Sequence, residues 1–170
     1  TLPRRGEVRD VNSTVIAAFV TEHGGLPRIY GIVRDDPDEG YAILEQALKE
    51  CDAVLISGGS SKDIRDITSS MISRLAKILA HGIALAPGKP TIIGQCRNKP
   101  VIGVPGHPSS TYIVLNVLAT PMLKIFSGAT RVRQVKEHGI LVENITSEQG
   151  REEWFRISID GDRVTPIPGK

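Results

Sequence analysis

The sequence is thin in the residues that mark several function classes. Its 170 residues hold two cysteines, Cys51 and Cys96, and four scattered histidines, His23, His81, His107 and His138. No histidine stands at zinc-ligand spacing from another histidine or a cysteine, which sets zinc aside. Cys51 closes an amphipathic stretch and Cys96 an apolar one. Both read as buried free thiols in a reducing compartment rather than as a disulfide. Neither sign of charge dominates. The formal net charge is +2, and there is no basic block and no interleaving of basic with aromatic residues, so no nucleic-acid partner is expected. No apolar run approaches the length of a membrane span. The arginines of Thr1-Leu2-Pro3-Arg4-Arg5 are followed by no apolar stretch, so they do not read as a signal peptide. A cytoplasmic protein without a membrane partner is the expectation. The absence of an initial methionine reads as a cut from a longer chain.

Hydrophobic residues make up 40% of the chain, enough for a globular core. Asn12-Ser13 is placed to cap a helix running to about His23, where Gly24-Gly25 stops it. Leu26 to Val33 is a strand candidate. Asp35-Asp36-Pro37-Asp38 opens a second helix, with acids and proline at its positive end. Ala53 to Ile56 is apolar on both faces, as a buried parallel strand requires. Ile67, Met71, Leu75 and Leu79 mark one side of a further helix that Gly82 ends. Ile83–Ala86, Thr91–Gln95 and Val101–Val104 read as strands. A mostly apolar helix follows from Ser109 to about Phe126, and Pro121 should kink or divide it.

This alternation predicts an α/β domain, a three-layer mainly parallel sheet with helices on both faces. Past about Arg131 the pattern changes to apolar–polar alternation, with turns at His138-Gly139, Gln149-Gly150 and Asp160-Gly161. The expectation is two parts. Residues 1–128 form the α/β domain and 131–170 begin a small all-β unit, too short to close a barrel or sandwich.

Ligands of open α/β sheets bind beyond the carboxyl ends of the strands. Three polar turns fall there. Residues 57–66 read SGGSSKDIRD, in which Gly58 and Gly59 let backbone approach a ligand and free amides before a helix favour an anion. Pro87-Gly88-Lys89-Pro90 is a stiff turn presenting one ammonium group. Pro105-Gly106-His107-Pro108-Ser109-Ser110 leads into a helix start. Taken singly, each reads better as a bland loop. Asp63 and Asp66 repel an anion directly, so they either cap the helix or hold a divalent cation such as Mg²⁺. Spacing favours the cap for Asp63 and leaves Asp66 open.

Five stretches, GIVRDDP, LISGG followed by RD, PGKP, GVPGHP and LATPMLKIFSG, occur in the order and approximate spacing of molybdopterin molybdenumtransferases, the molybdenum-insertion enzymes related to the gephyrin E domain. GEVRDVNSTVIAAFV and GREEWFRISI extend the resemblance over nearly the whole chain. The resemblance implies a molybdopterin-binding domain over residues 1–128 and the start of the family's small β domain from 131. It implies an enzyme of molybdenum cofactor biosynthesis that takes adenylyl-molybdopterin and molybdate, uses Mg²⁺ and releases AMP. It also implies a homodimer of the full-length protein. By position, Asp66 falls on the family's essential aspartate, a metal or catalytic carboxylate, and Asp35 on another acid. Gly58, Gly59 and Ser61 fall on the loop around the pterin phosphate, and Gly106 and Ser110 on the second pterin loop. Lys89 and Pro90 fall on the turn that helps hold molybdate, and Arg151 on an arginine of the same anion site.

The sequence departs from that pattern in places. Ala86 stands where the family usually has lysine, Asp63 where it has a glycine, and His107 where it has asparagine. The chain begins after the family's first strand of this domain and ends before the segment that completes the molybdate pocket. It therefore resembles a C-terminal fragment, which argues against activity of the piece alone. Two other readings are open. One is adenylyl transfer to molybdopterin, suggested by Arg65-Asp66-Ile67-Thr68, although stand-alone adenylyltransferases lack the β segment. The other is a pterin-binding scaffold without chemistry.

Overall fold

The computed structural model describes residues 9–33, 36–58, 62–130 and 136–167, the side chains of 62–67 excepted. Helices α1 (Asn12–Glu22) and α2 (Pro37–Glu50) precede strand β1 (Val54–Ser57). Helix α3 (Lys62–Leu75) leads to β2 (Lys77–His81), a short β3 (Leu85–Ala86), β4 (Ile92–Cys96) and β5 (Lys99–Val104). Helix α4 (Pro108–Val114) passes through a π-helical turn, Leu115–Ala119, into α5 (Thr120–Phe126). The chain then forms β6 (Ile140–Leu141), β7 (Glu152–Glu153), β8 (Ile157–Asp160) and β9 (Arg163–Pro166).

The main sheet runs β1-β5-β4-β2. Side chains alternate across it, and so do the helices. Val54, Ile56, Val101 and Ile92 pack with Leu44 and Leu48 of α2 and Ile72 of α3. Leu55, Ile102 and Val104 pack on the opposite face against Ile16 of α1, Val114 of α4 and Met122 of α5. The three layers of an α/β domain are therefore present. Strand direction is more mixed than the continuous apolar runs suggest. β1 and β5 are parallel, while β4 pairs antiparallel with both β5 and β2. The cause is local. Arg97 and Asn98 both have positive φ, 50° and 62°, making the two-residue turn that joins neighbouring antiparallel strands. Two glycines bring α3 close to this sheet. A Cβ on Gly94 would lie 3.0 Å from the Ile72 side chain, and one on Gly103 would lie 3.4 Å from Thr68.

Several local expectations hold. Asp36 caps α2, its carboxylate accepting from the amides of Asp38 (2.9 Å) and Glu39 (3.4 Å), with Pro37 in the first turn. Cys51 and Cys96 are free thiols, Cys96 buried and Cys51 partly so. The π turn falls just ahead of Pro121, where the missing amide and the ring disturb the helical ladder.

Others are corrected. The helix through Leu79 to Gly82 ends instead at Leu75, and Lys77–His81 is a strand whose backbone pairs with β4. The i, i+4 spacing of Leu75 and Leu79 is accidental, since Leu79 is exposed. Leu26–Val33 forms no strand and pairs with no described residue as one. Leu26, Ile29 and Ile32 are 98%, 61% and 74% exposed, because no strand or helix among the described residues covers them. Asn12-Ser13 does not supply the cap of α1. The Ser13 amide donates to Asp10 at 3.0 Å instead, and Asn12 is turned inward. Finally, the 19-residue helix Pro108–Phe126, with a mean hydropathy of 1.2, is long and apolar enough by length and composition to cross a membrane, although no such run was expected from the sequence. Here it lies along the sheet with Val114, Leu115 and Ala119 buried.

Past the 131–135 stretch, which lies outside the described residues along with the expected domain boundary beside it, β8 and β9 form the expected hairpin and β6 lies parallel to β9. β7 pairs in parallel with β3 of the α/β domain.

Candidate functional site

Register decides which turns meet. Ser57 lies opposite Val104 at the carboxyl ends of β1 and β5, so the start of the Gly-Gly loop and the Pro105–Ser110 turn leave the sheet side by side. β4 is antiparallel, with Ile92 opposite Gly103. Its beginning, and the Pro87–Pro90 turn before it, therefore sit at that same edge. The three polar turns that the sequence singled out converge on one rim of the sheet.

Two of the turns are stiffened from below. Pro105 is buried, and its carbonyl accepts the Thr111 hydroxyl at 2.5 Å. The Thr111 amide bonds the His107 carbonyl at 2.9 Å. Thr111 is fully buried, so both groups work without competition from water. In the other turn, the Thr91 hydroxyl donates to the Gly88 carbonyl at 2.7 Å. The Ile83 amide bonds the Lys89 carbonyl at 3.0 Å. Gly88 has φ +137°, and a Cβ there would stand 2.9 Å from Leu85 and 3.0 Å from Val114. Glycine is needed there for both conformation and space.

The site residues expected from the sequence are distributed as follows. Gly58 sits at the end of β1 facing Thr68 of α3, 3.6 Å from where a Cβ would be. Gly106 and Ser110 are partly exposed on the second turn and first turn of α4. Lys89 is exposed and Pro90 half-buried beside it. Arg151 directly precedes β7 and pairs with Glu148 at 2.9 Å. Because β7 lies beside β3, Arg151 and Lys89 line one cleft of about 230 Å³ together with Ile83, Ala84, Leu85 and Gly150. Ala86 is in β3, where its carbonyl accepts the Trp154 amide at 2.8 Å. Asp35, Gly59 and Ser61 lie outside the described residues. Asp66 and Asp63 belong to the first turns of α3, but their side chains are likewise outside the description. Among the described residues, no group of three or more acidic, histidine or cysteine side chains gathers as a metal cage.

Residues 2–125 match the family described as a probable molybdopterin binding domain. The chain belongs to this family. It is 32% identical over 162 residues to a molybdopterin biosynthesis protein of Methanocaldococcus jannaschii, covering 95% of this chain and 38% of that protein. It is 26% identical over 120 residues to the molybdopterin molybdenumtransferase of Bacillus subtilis, covering 70% and 28%. Among solved structures, the molybdopterin biosynthesis protein MoeA of Pyrococcus horikosii superposes with a TM-score of 0.85 at 33% identity, over 99% of this chain and 41% of that one. The fold is MoeA-like, and this chain spans about two fifths or less of the length of these relatives.

One polar residue of this molybdopterin-binding domain was missed in the sequence. Asn12 is 6% exposed, and its Nδ2 donates to the Ser57 hydroxyl at 2.7 Å and the Gly106 carbonyl at 2.9 Å. A longer contact reaches the Pro105 carbonyl at 3.4 Å. An asparagine at a helix start reads as a cap, and no local signal distinguishes one whose partners are two distant turns.

Away from the rim, the exposed 26–33 stretch is tethered to the end of α2. Arg28 pairs with Glu50 at 2.5 Å, and the Tyr30 hydroxyl donates to Glu50 at 2.8 Å. The Gln46 amide, the Tyr30 hydroxyl and Arg28 hold the Glu50 carboxyl below its ordinary range. Burial, with the Cys51 and Glu50 hydrogen bonds, pushes Tyr30 well above the ordinary tyrosine value.

Proposed function

We propose that the full-length protein acts in molybdenum cofactor biosynthesis, inserting molybdate into adenylyl-molybdopterin with release of AMP. The observation that carries this reading is the convergence of the three anion-adapted turns on the carboxyl rim of β1 and β5. The matched family and the names of the relatives support it. Residues 1–128 are read as the pterin-binding part and 131–170 as the start of a small β domain.

Gly58, Gly59 and Ser61 at one loop, and Gly106 and Ser110 at the other, are assigned to the pterin phosphates. The glycines have no side chain to hold the ligand off the backbone amides, and the serines offer hydroxyl donors. Asp66 is assigned to the catalytic metal and Asp35 to a supporting acid. The donor chemistry suits Mg²⁺, which takes one or two carboxylates and completes its shell with phosphate oxygens and water. Bound there, Mg²⁺ supplies neutralisation of the pyrophosphate charge. Lys89, Pro90 and Arg151 are assigned to molybdate. A tetrahedral dianion suits a lysine point charge set against an arginine fork, and these cations share a cleft. A cytoplasmic homodimer completes the proposal.

The deciding experiment is Asp66→Ala in the full-length protein. Loss of Mg²⁺- and molybdate-dependent AMP release from adenylyl-molybdopterin is the expected result. Full retention of that release would sink the assignment.

A further inference from the structure

The cleft beside the β3–β7 pair holds two cations, and one of them already has an anion. Lys89 and Arg151 both line it. Among the described residues Lys89 takes part in no ion pair, whereas Arg151 Nη2 stands 2.9 Å from Glu148 Oε2. Local chain geometry builds that pair. Gln149-Gly150 forms a turn, with Gly150 at φ +84°, and the turn brings the two side chains together. The Glu148 amide donates to Glu153 Oε2 at 3.0 Å, which fastens the start of the turn to β7. The acids of β7 are engaged with neutral N–H groups, Glu153 with that amide and Glu152 with the Trp154 indole at 2.7 Å. Glu148 is thus the acid of this segment that sits on a cation of the cleft.

An ion pair as exposed as this one, with both side chains more than a third accessible, adds little stability. A ligand can therefore displace it. A tetrahedral oxyanion that grips the guanidinium fork with two oxygens competes with Glu148 for Nη2. Resting on the reading of this cleft as the molybdate site, we propose that Glu148 sets its affinity: the carboxylate is a resident competitor that holds Arg151 until a dianion takes its place. The consequence suits a substrate. Two unpaired cations retain a dianion, whereas a cleft with its own carboxylate lets the oxyanion exchange and pass on to the pterin. Coulomb work scales with the charge of the ligand. Glu148 therefore opposes a dianion twice as strongly as a monoanion of the same shape. Neutralising it multiplies the two affinities by unequal factors, the dianion's being the square of the monoanion's.

The test uses the full-length protein and two tetrahedral probes, molybdate as the dianion and perrhenate as the monoanion, with binding measured by titration calorimetry. Glu148→Gln keeps an acceptor of similar shape for Arg151 and removes only the charge. At low ionic strength it should tighten molybdate roughly tenfold and perrhenate roughly threefold. Both factors should shrink toward one as salt rises. Glu148→Asp keeps the charge and should retain the native ratio of the two affinities. Molybdate affinity that is unchanged or weaker in Glu148→Gln overturns the proposal. So does an equal factor for the two probes, the mark of a loosened turn and not of a lost charge. So does a Glu148→Asp variant that tightens molybdate as much as Glu148→Gln. Native protein that binds neither probe, or binds them unchanged in Arg151→Ala, overturns the reading of the cleft itself, a separate result.

Discussion

Arg151, just before β7, lines the same cleft as Lys89, just after β3. The parallel pairing of Leu85 with Glu152 and of Ala86 with Glu153 brings them together. The Arg151–Glu148 ion pair, more than a third exposed on the Arg151 side, leaves the guanidinium within reach of water and of an anion.

Replacing either cation should weaken binding of a tetrahedral dianion. Lys89→Ala and Arg151→Ala are each expected to raise the molybdate dissociation constant on the order of tenfold. Binding should weaken further as salt rises, because both groups are exposed. Equilibrium dialysis against molybdate at two ionic strengths checks this. Unchanged affinity in both variants counts against the cleft as an anion site.

Thr111→Val keeps the shape of a fully buried side chain and deletes its hydroxyl. The Pro105 carbonyl then loses its short bond. A loss of about 1–3 kcal/mol is expected, read as a lowered midpoint in urea. Faster hydrogen exchange of the Asn116-side turn of the helix is not expected, whereas amides around 106–111 should exchange faster.

Gly88→Ala meets two obstacles at once, a positive φ and two side chains within contact distance. The expected cost is about 1–3 kcal/mol from each source, with a matching fall in Tm. A variant as stable as the parent would show that the turn yields instead.

The Glu50 tether sets a pH dependence. Its carboxyl titrates below the ordinary glutamate range in the folded protein. Its stabilising share is therefore complete above the unfolded value of about 4.3 and disappears as pH falls through the lower folded value. Amide chemical shifts near Arg28 and Tyr30 should hold at pH 5 and move in stronger acid. Glu50→Gln should show the loosened segment already at neutral pH, by NMR.

Helix α2 was legible because Asp36-Pro37 and the apolar spacing of Tyr41, Leu44 and Leu48 act within a few residues. The three turns were legible for the same reason. β2 was not, since Leu75 and Leu79 sit at helical spacing and only pairing with β4 makes Lys77–His81 a strand. Residues 26–33 have strand-forming composition but no partner strand among the described residues to realise it. Asp35 and Ser61 came from resemblance alone, Gly59 and Asp66 from the chemistry of the loop as well, and Asp35, Gly59, Ser61 and the Asp66 side chain lie outside the described residues.

The sequence by itself determined the α/β class, the stiff proline–glycine turns, the two free thiols and the family, because each depends on residue type and near-neighbour spacing. Only the tertiary structure decided that the turns share one rim, that Lys89 and Arg151 line one cleft, and that Asn12 at the start of α1 ties Ser57 to Gly106. Those relations are set by strand register and direction. Register is fixed by hydrogen bonds and packing between segments far apart in the chain, which no local pattern encodes.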